Sequence, residues 1–156
     1  MQFSQLTNRI NGEGAAAWDL HEVAIKDAMA GKDVIVLSVG DPDFPTPAAI
    51  TQAAIAALKA GDTHYQQVAG RREVRQVIAQ QFQSNHIPNI SADNVMLVAG
   101  AQNALFAAGL CLLDAGDEIL ALDPMYVTYE ATLGASGANL IPVAMPADSG
   151  FRFDAK

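Results

Sequence analysis

Basic side chains are scarce in this chain: nine Lys plus Arg stand against seventeen Asp plus Glu, a formal net charge of -8 over 156 residues. That balance excludes non-specific binding to nucleic acid or to an anionic membrane, because both depend on cations that displace counterions. Cys111 is the one cysteine, so no internal disulfide can form, and its place in an apolar run predicts a small core residue rather than a nucleophile. His21, His64 and His86 are too widely spaced to suggest a metal site. No G-x-S-x-G elbow occurs, which removes the basis for a serine hydrolase. Met1 to Asn11 lack a basic stretch followed by an apolar one; no secretory leader is expected, and the cytoplasm is the default compartment.

Apolar residues are abundant, at 51% hydrophobic against 17% charged, and such a composition suits a globular domain with a real core. Val95-Met96-Leu97-Val98 predicts a strand buried on both faces of a parallel sheet. After Ala99-Gly100-Ala101, the segment Gln102 to Leu113 predicts a helix rich in strong formers. A strand, a small-residue turn and a helix make an anion cradle. The first helical N–H groups lack partners within the helix, the macrodipole is positive there, and Gly100 lets a phosphate come close to the backbone. Ala101 and Gln102 are the expected donors. The same pattern also serves as an ordinary tight βα turn. Gln102 and Asn103 interrupt the apolar run near its middle, which argues against a membrane span.

The rest of the chain alternates helices and strands. Ala15 to Ala30 predicts a helix with Trp18, Leu20, Val23, Ile25 and Met29 on an imperfect apolar stripe, ended by Gly31; Val34 to Leu37 predicts a short strand. Gly40 to Pro47 packs three prolines into eight residues, after which Thr46 is expected to cap a helix running to about Ala60. Another helix is predicted from Arg71 to Ser84, with Val74, Val77, Ile78 and Phe82 on its apolar face. Arg71, Arg72 and Arg75 at its start suit a solvated face or ion pairs with nearby acids. Strands at Glu118 to Leu122 and Asn139 to Val143, joined by a helix from about Val127 to Ala135, place Asp123-Pro124-Met125-Tyr126 at the carboxyl edge of the sheet, where ligands of open α/β folds bind. Gly12-Glu13-Gly14-Ala15-Ala16-Ala17 fits a dinucleotide glycine pattern, but no strand precedes it. Asp41 and Asp43 are more readily explained by turn hydrogen bonding than by acid/base work.

Several segments in register carry a resemblance: Ser38 to Pro47, Thr63-His64-Tyr65, Gly100-Ala101-Gln102-Asn103-Ala104-Leu105, Ala115 to Glu118, Pro124 to Tyr129 and Gly150-Phe151. Together they resemble the amino-terminal part of class I/II aminotransferases, fold-type I pyridoxal-phosphate enzymes. Within that family, Ala15 to His21 and Pro124 to Glu130 look closest to arginine:pyruvate transaminases. The resemblance implies an α/β, three-layer fold with a mainly parallel sheet, incomplete here. Residues 1–45 would form an amino-terminal arm and small-domain segment, and 46–156 the front of the large cofactor domain. It further implies pyridoxal 5'-phosphate as cofactor, amino acid and 2-oxo acid as substrates, and a homodimer.

Residue by residue, Gly100, Ala101 and Gln102 would hold the cofactor phosphate and Tyr126 would stack on the ring. Gly40 would approach the substrate carboxylate, and Tyr65 would reach a partner subunit's cofactor phosphate. Read without the resemblance, Tyr126 can be a loop anchor, Gly40 a turn glycine and Tyr65 a surface residue. Transamination also requires a Schiff-base lysine. Lys26, Lys32 and Lys59 occupy helix-like, charged contexts and Lys156 is the last residue, so no catalytic lysine is expected in this chain. The expected identity is therefore a segment of an aminotransferase, inactive alone. The alternatives are a non-catalytic α/β phosphate- or nucleotide-binding module, or a pyridoxal-phosphate lyase or decarboxylase.

Overall fold

The computed structural model describes residues 2–84 and 87–153, without the side chains of Glu13 and Ala15. Six helices and two strands follow one another as α1 (Gln5–Ile10), α2 (Glu13–Met29), α3 (Ala48–Lys59), α4 (Arg72–Ser84), α5 (Ala101–Leu112), β1 (Glu118–Asp123), α6 (Tyr129–Gly134) and β2 (Asn139–Ala144). Short 3-10 turns occupy Ala92–Asn94 and Ala147–Ser149. They divide into two compact units, one made of Met1–Gly40 with Ala99–Lys156 and the other of Asp41–Val98. No helix among the described residues is long and apolar enough to cross a membrane.

The first unit is built on β1 and β2, which pair in parallel with Glu118 opposite Asn139 and Asp123 opposite Ala144. Parallel strands need a crossover, and α6 supplies it. Their starts are clasped by two glycines with positive φ: the Gly116 N–H donates to the Gly137 carbonyl at 3.0 Å, and the Asn139 N–H to the Asp117 carbonyl at 2.7 Å. A Cβ on Gly137 would lie 3.0 Å from that of Ala115, so a left-handed backbone and close contact both favour glycine there. Leu133, Ala135 and Ala138 are buried around this junction. Helix α6 packs on α5, α1 and β2.

In the second unit α4 packs on the Ala92–Asn94 turn, with Arg75, Ala79 and Ala92 buried. Gly70, at φ 92°, lies so close to Leu97 that a Cβ would meet its side chain at 2.6 Å, and the Leu97 N–H donates to the Ala69 carbonyl at 2.9 Å.

Several expectations are corrected. Val34 to Leu37 and Val95 to Val98 do not form ladder strands, because a strand exists only with a partner and neither finds one among the described residues. Val95 and Leu97 are half-buried while Met96 and Val98 are exposed, so the run is covered on one side rather than both. Pro47, not Thr46, is the N-cap of α3. Helix α6 starts at Tyr129 because the Tyr129 N–H closes a turn on the Tyr126 carbonyl at 3.0 Å. Cys111 is exposed on a face of α5 that nothing in the described chain covers, and the Trp18–Met29 stripe of α2 is exposed for the same reason. On α4 the buried face is Arg75 with Ala79, and Val74, Val77 and Phe82 face outward. Helix α1, which has no apolar periodicity to announce it, is capped by Ser4, whose hydroxyl accepts from the Leu6 N–H at 3.2 Å.

Candidate functional site

Gly100 is the N-cap of α5, with φ 86° and ψ 169°, and makes no side-chain capping bond. A non-glycine residue would be strained at that φ, and open space surrounds the position where its Cβ would stand. The first turn of α5 closes by the Ala104 N–H donating to the Gly100 carbonyl at 3.2 Å. The amides of Ala101, Gln102 and Asn103 therefore precede the first closed turn, and none has a partner among the described residues. With no acidic residue in that turn to satisfy the macrodipole, the terminus offers three donors and a partial positive charge to an anion. The Gln102 side chain is engaged elsewhere: its Oε1 accepts from the Thr132 hydroxyl at 2.8 Å, tying the start of α5 to α6.

Tyr126 lies beyond the carboxyl end of β1, after a cis Asp123–Pro124 peptide. Its side chain is half exposed and meets the Tyr129 ring edge-on, with centroids 6.0 Å apart. It lines an open cavity of about 730 Å³ together with Arg9, Gly14, Val127, Glu130 and Leu140. Gly100, Ala101 and Gln102 are not among the walls of that cavity. The cradle and Tyr126 are thus linked through α6 and the Gln102–Thr132 bond, not by sharing one enclosed space.

Gly40 is exposed with nothing within 4 Å of a notional Cβ, and its φ lies outside the left-handed region, so neither crowding nor backbone angle demands glycine there. Tyr65 is fully exposed, at 105%, on the loop before α4. Lys26 pairs with Glu22 at 3.3 Å and Lys32 with Asp27 at 2.7 Å, both at the surface, and Lys59 ends α3. Lys156 and His86 lie outside the described residues. Among the described residues no cluster of three or more His, Cys, Asp and Glu could hold a metal.

The arginine group separates by role. Arg71 pairs with Asp62 and Arg72 with Asp93, as ion pairs at the surface. Arg75 is instead 6% exposed, and its guanidinium donates to the Gly70 and Ala92 carbonyls at 3.1 and 2.8 Å and to Gln67 Oε1 at 3.0 Å. Sequence reasoning also missed Glu130, whose Oε2 accepts from the Gly14 N–H at 3.2 Å. The signal was present in Gly12-x-Gly14, where close backbone approach, not a dinucleotide, uses the glycines.

The sequence pattern of the family described as "Aminotransferase class I and II" matches residues 32–156. The chain is 49% identical over its whole length to the arginine–pyruvate transaminase of Pseudomonas aeruginosa, of which it covers 40%. It is 37% identical over 117 residues, 74% of the chain, to an aspartate aminotransferase of Thermotoga maritima, of which it covers 31%. Among solved structures it matches the aspartate aminotransferase of Thermus thermophilus with maleate at a TM-score of 0.89 and 27% identity, covering 99% of this chain and 40% of that one. The chain spans two fifths or less of the length of these relatives. Its fold is that of the front part of fold-type I aminotransferases. A match over residues 32–156, together with these identities, establishes that the chain belongs to the class I and II aminotransferase family.

Proposed function

We propose that this chain is the phosphate- and ring-holding part of an aminotransferase that moves an amino group from an amino acid, arginine or aspartate, to a 2-oxo acid such as pyruvate or 2-oxoglutarate. The observation that carries the reading is the run of unpartnered amides at Ala101, Gln102 and Asn103 behind the open Gly100 turn, in a chain 49% identical to an arginine–pyruvate transaminase. Class I and II aminotransferases depend on pyridoxal 5'-phosphate. The residues present fit that group: its phosphate matches three free N–H donors at a helix N-terminus, and a half-exposed Tyr126 offers a flat face for its ring.

When bound, the group supplies the electron sink that stabilises charge left on a substrate carbon. Ala101 and Gln102 hold the phosphate through their main-chain N–H groups, while Gly100 keeps the approach clear. Tyr126 limits tilt of the ring. Gly40 receives the substrate carboxylate, and Tyr65 reaches the phosphate held by a second copy in a homodimer. Residues 1–45 act as arm and small-domain segment and 46–156 as the front of the large domain, in a cytoplasmic enzyme. The reacting lysine belongs to a segment other than those described, since Lys26, Lys32 and Lys59 sit in surface ion pairs or at a helix end.

The test uses the full-length protein from which this segment derives. Pyridoxal 5'-phosphate should bind specifically, borohydride should fix it to one lysine that is none of Lys26, Lys32 and Lys59, and arginine or aspartate should yield its 2-oxo acid when pyruvate or 2-oxoglutarate is the acceptor. Specific binding of phosphate compounds with no lysine labelling would instead favour a non-catalytic phosphate-binding module. Labelling with bond cleavage other than amino transfer would favour a lyase or decarboxylase.

A further inference from the structure

The glycine pattern Gly12-x-Gly14 has a structural use in the first unit. Helix α2 begins at Glu13, and its N-cap, Gly12, has extended backbone and offers no side chain to the orphan amides behind it. The Gly14 N–H is one of those orphans, and it is met by Glu130 Oε2 at 3.2 Å, from a residue 116 positions away. A carboxylate at the positive end of a 17-residue helix is favourable both as hydrogen-bond acceptor and as charge. The approach is tight. A Cβ on Gly14 would stand 2.4 Å from the Val127 carbonyl oxygen, and one on Gly12 would stand 2.6 Å from the Glu130 carboxylate carbon. The first turn of α2 thus lies directly against the backbone that follows Tyr126.

Tyr126 and Glu130 are the two ends of one short turn. The Tyr129 N–H donates to the Tyr126 carbonyl, the Tyr126 and Tyr129 rings meet edge-on, and Glu130 follows as the second residue of α6. Gly14, Tyr126, Val127 and Glu130 all line the same cavity. We infer that Glu130 is a positioning residue: by anchoring the start of α2 through Gly14, it clamps the Val127 carbonyl and fixes the turn that carries Tyr126. The inference rests on the reading of Tyr126 given above only where it concerns the cofactor ring.

The test compares the unaltered full chain with Glu130→Ala, Glu130→Gln, Gly14→Ala and Tyr126→Ala. Amide hydrogen exchange is followed by mass spectrometry over Met125 to Tyr129, with the α5 segment as internal reference. Binding is measured with 4-deoxypyridoxine 5'-phosphate, which needs no lysine, and with inorganic phosphate. Glu130→Ala and Gly14→Ala should speed exchange over Met125 to Tyr129 about fivefold relative to α5, the population change expected on losing a helix cap. They should weaken the analogue by about the same factor and leave inorganic phosphate unaffected. Glu130→Gln, which keeps an acceptor oxygen but loses the charge, should move both by about two- to threefold, less than Glu130→Ala does. Unchanged exchange at that turn in either Glu130→Ala or Gly14→Ala overturns the inference. If exchange responds but Tyr126→Ala binds the analogue as well as the unaltered chain, the clamp stands and the ring-stacking role of Tyr126 falls.

Discussion

Arg75 carries a buried positive charge without a carboxylate within ion-pair distance among the described residues. Two carbonyl oxygens and one amide oxygen solvate it in place of water, and they come from three places in the chain, at Gln67, Gly70 and Ala92. Arg75→Met should cost about 3 kcal/mol, roughly 1 kcal/mol for each acceptor left unpaired. Arg75→Lys should recover less than half, since one ammonium cannot span three divergent acceptors that a planar fork reaches together. Urea unfolding of the three proteins checks this; a loss below about 1 kcal/mol for Arg75→Met would mean water replaces the guanidinium. Such a residue is hard to read from sequence. Arg71 and Arg72 find the surface acids that charge alone predicts, but Arg75 occupies the same inward row as Ala79, and its acceptors are backbone groups brought near only by folding.

Helix α5 presents its free donors at a place where one of them can be removed without disturbing the helix. Ala101 is the first helical residue after the Gly100 cap, the position where proline is best tolerated because its missing N–H breaks no intrahelical bond. Ala101→Pro should leave the circular-dichroism spectrum unchanged and weaken binding of 4-deoxypyridoxine 5'-phosphate roughly tenfold, the value of one hydrogen bond to a charged acceptor. Ala104→Pro deletes the bond to the Gly100 carbonyl and should lose helix content as well. Undiminished affinity in a folded Ala101→Pro would remove α5 from the phosphate site.

This terminus was legible because its signal is local: a buried-type run, a glycine, then strong helix formers. Helices α2 to α5 and both paired strands follow from such signals within a few residues of their ends. Val34 to Leu37 and Val95 to Val98 have equally strong local signals yet form no ladder, because pairing depends on residues distant in the chain. Helix α1 shows the converse. It is short and largely polar, and it is fastened by the Arg9 Nε donating to the Ala135 carbonyl at 3.1 Å, a contact no local pattern foretells.

At the scale of the molecule, the buried apolar residues among those described are Leu133 and four alanines, Ala79, Ala92, Ala135 and Ala138. Large side chains such as Met29, Leu37, Leu58, Leu112 and Leu120 face outward on α2, α3, α5, β1 and the segment before Gly40. A self-contained domain of this length would bury most of them. Expressed by itself, the chain should bind the dye ANS at neutral pH and unfold in urea with a shallow slope of about 1 kcal/mol/M, the low end for small proteins. A steep transition without dye binding would show that these faces find mutual cover in solution. Composition promised enough apolar material for a core, but most of this material is turned toward surfaces the described residues do not supply.

The clasp of Gly116 on Gly137 makes the spacing of that connection non-negotiable. Side chains along a strand alternate between sheet faces, so adding one residue between Gly137 and Asn139 while the ladder holds would move every side chain of β2 to the opposite face of the sheet in a single step.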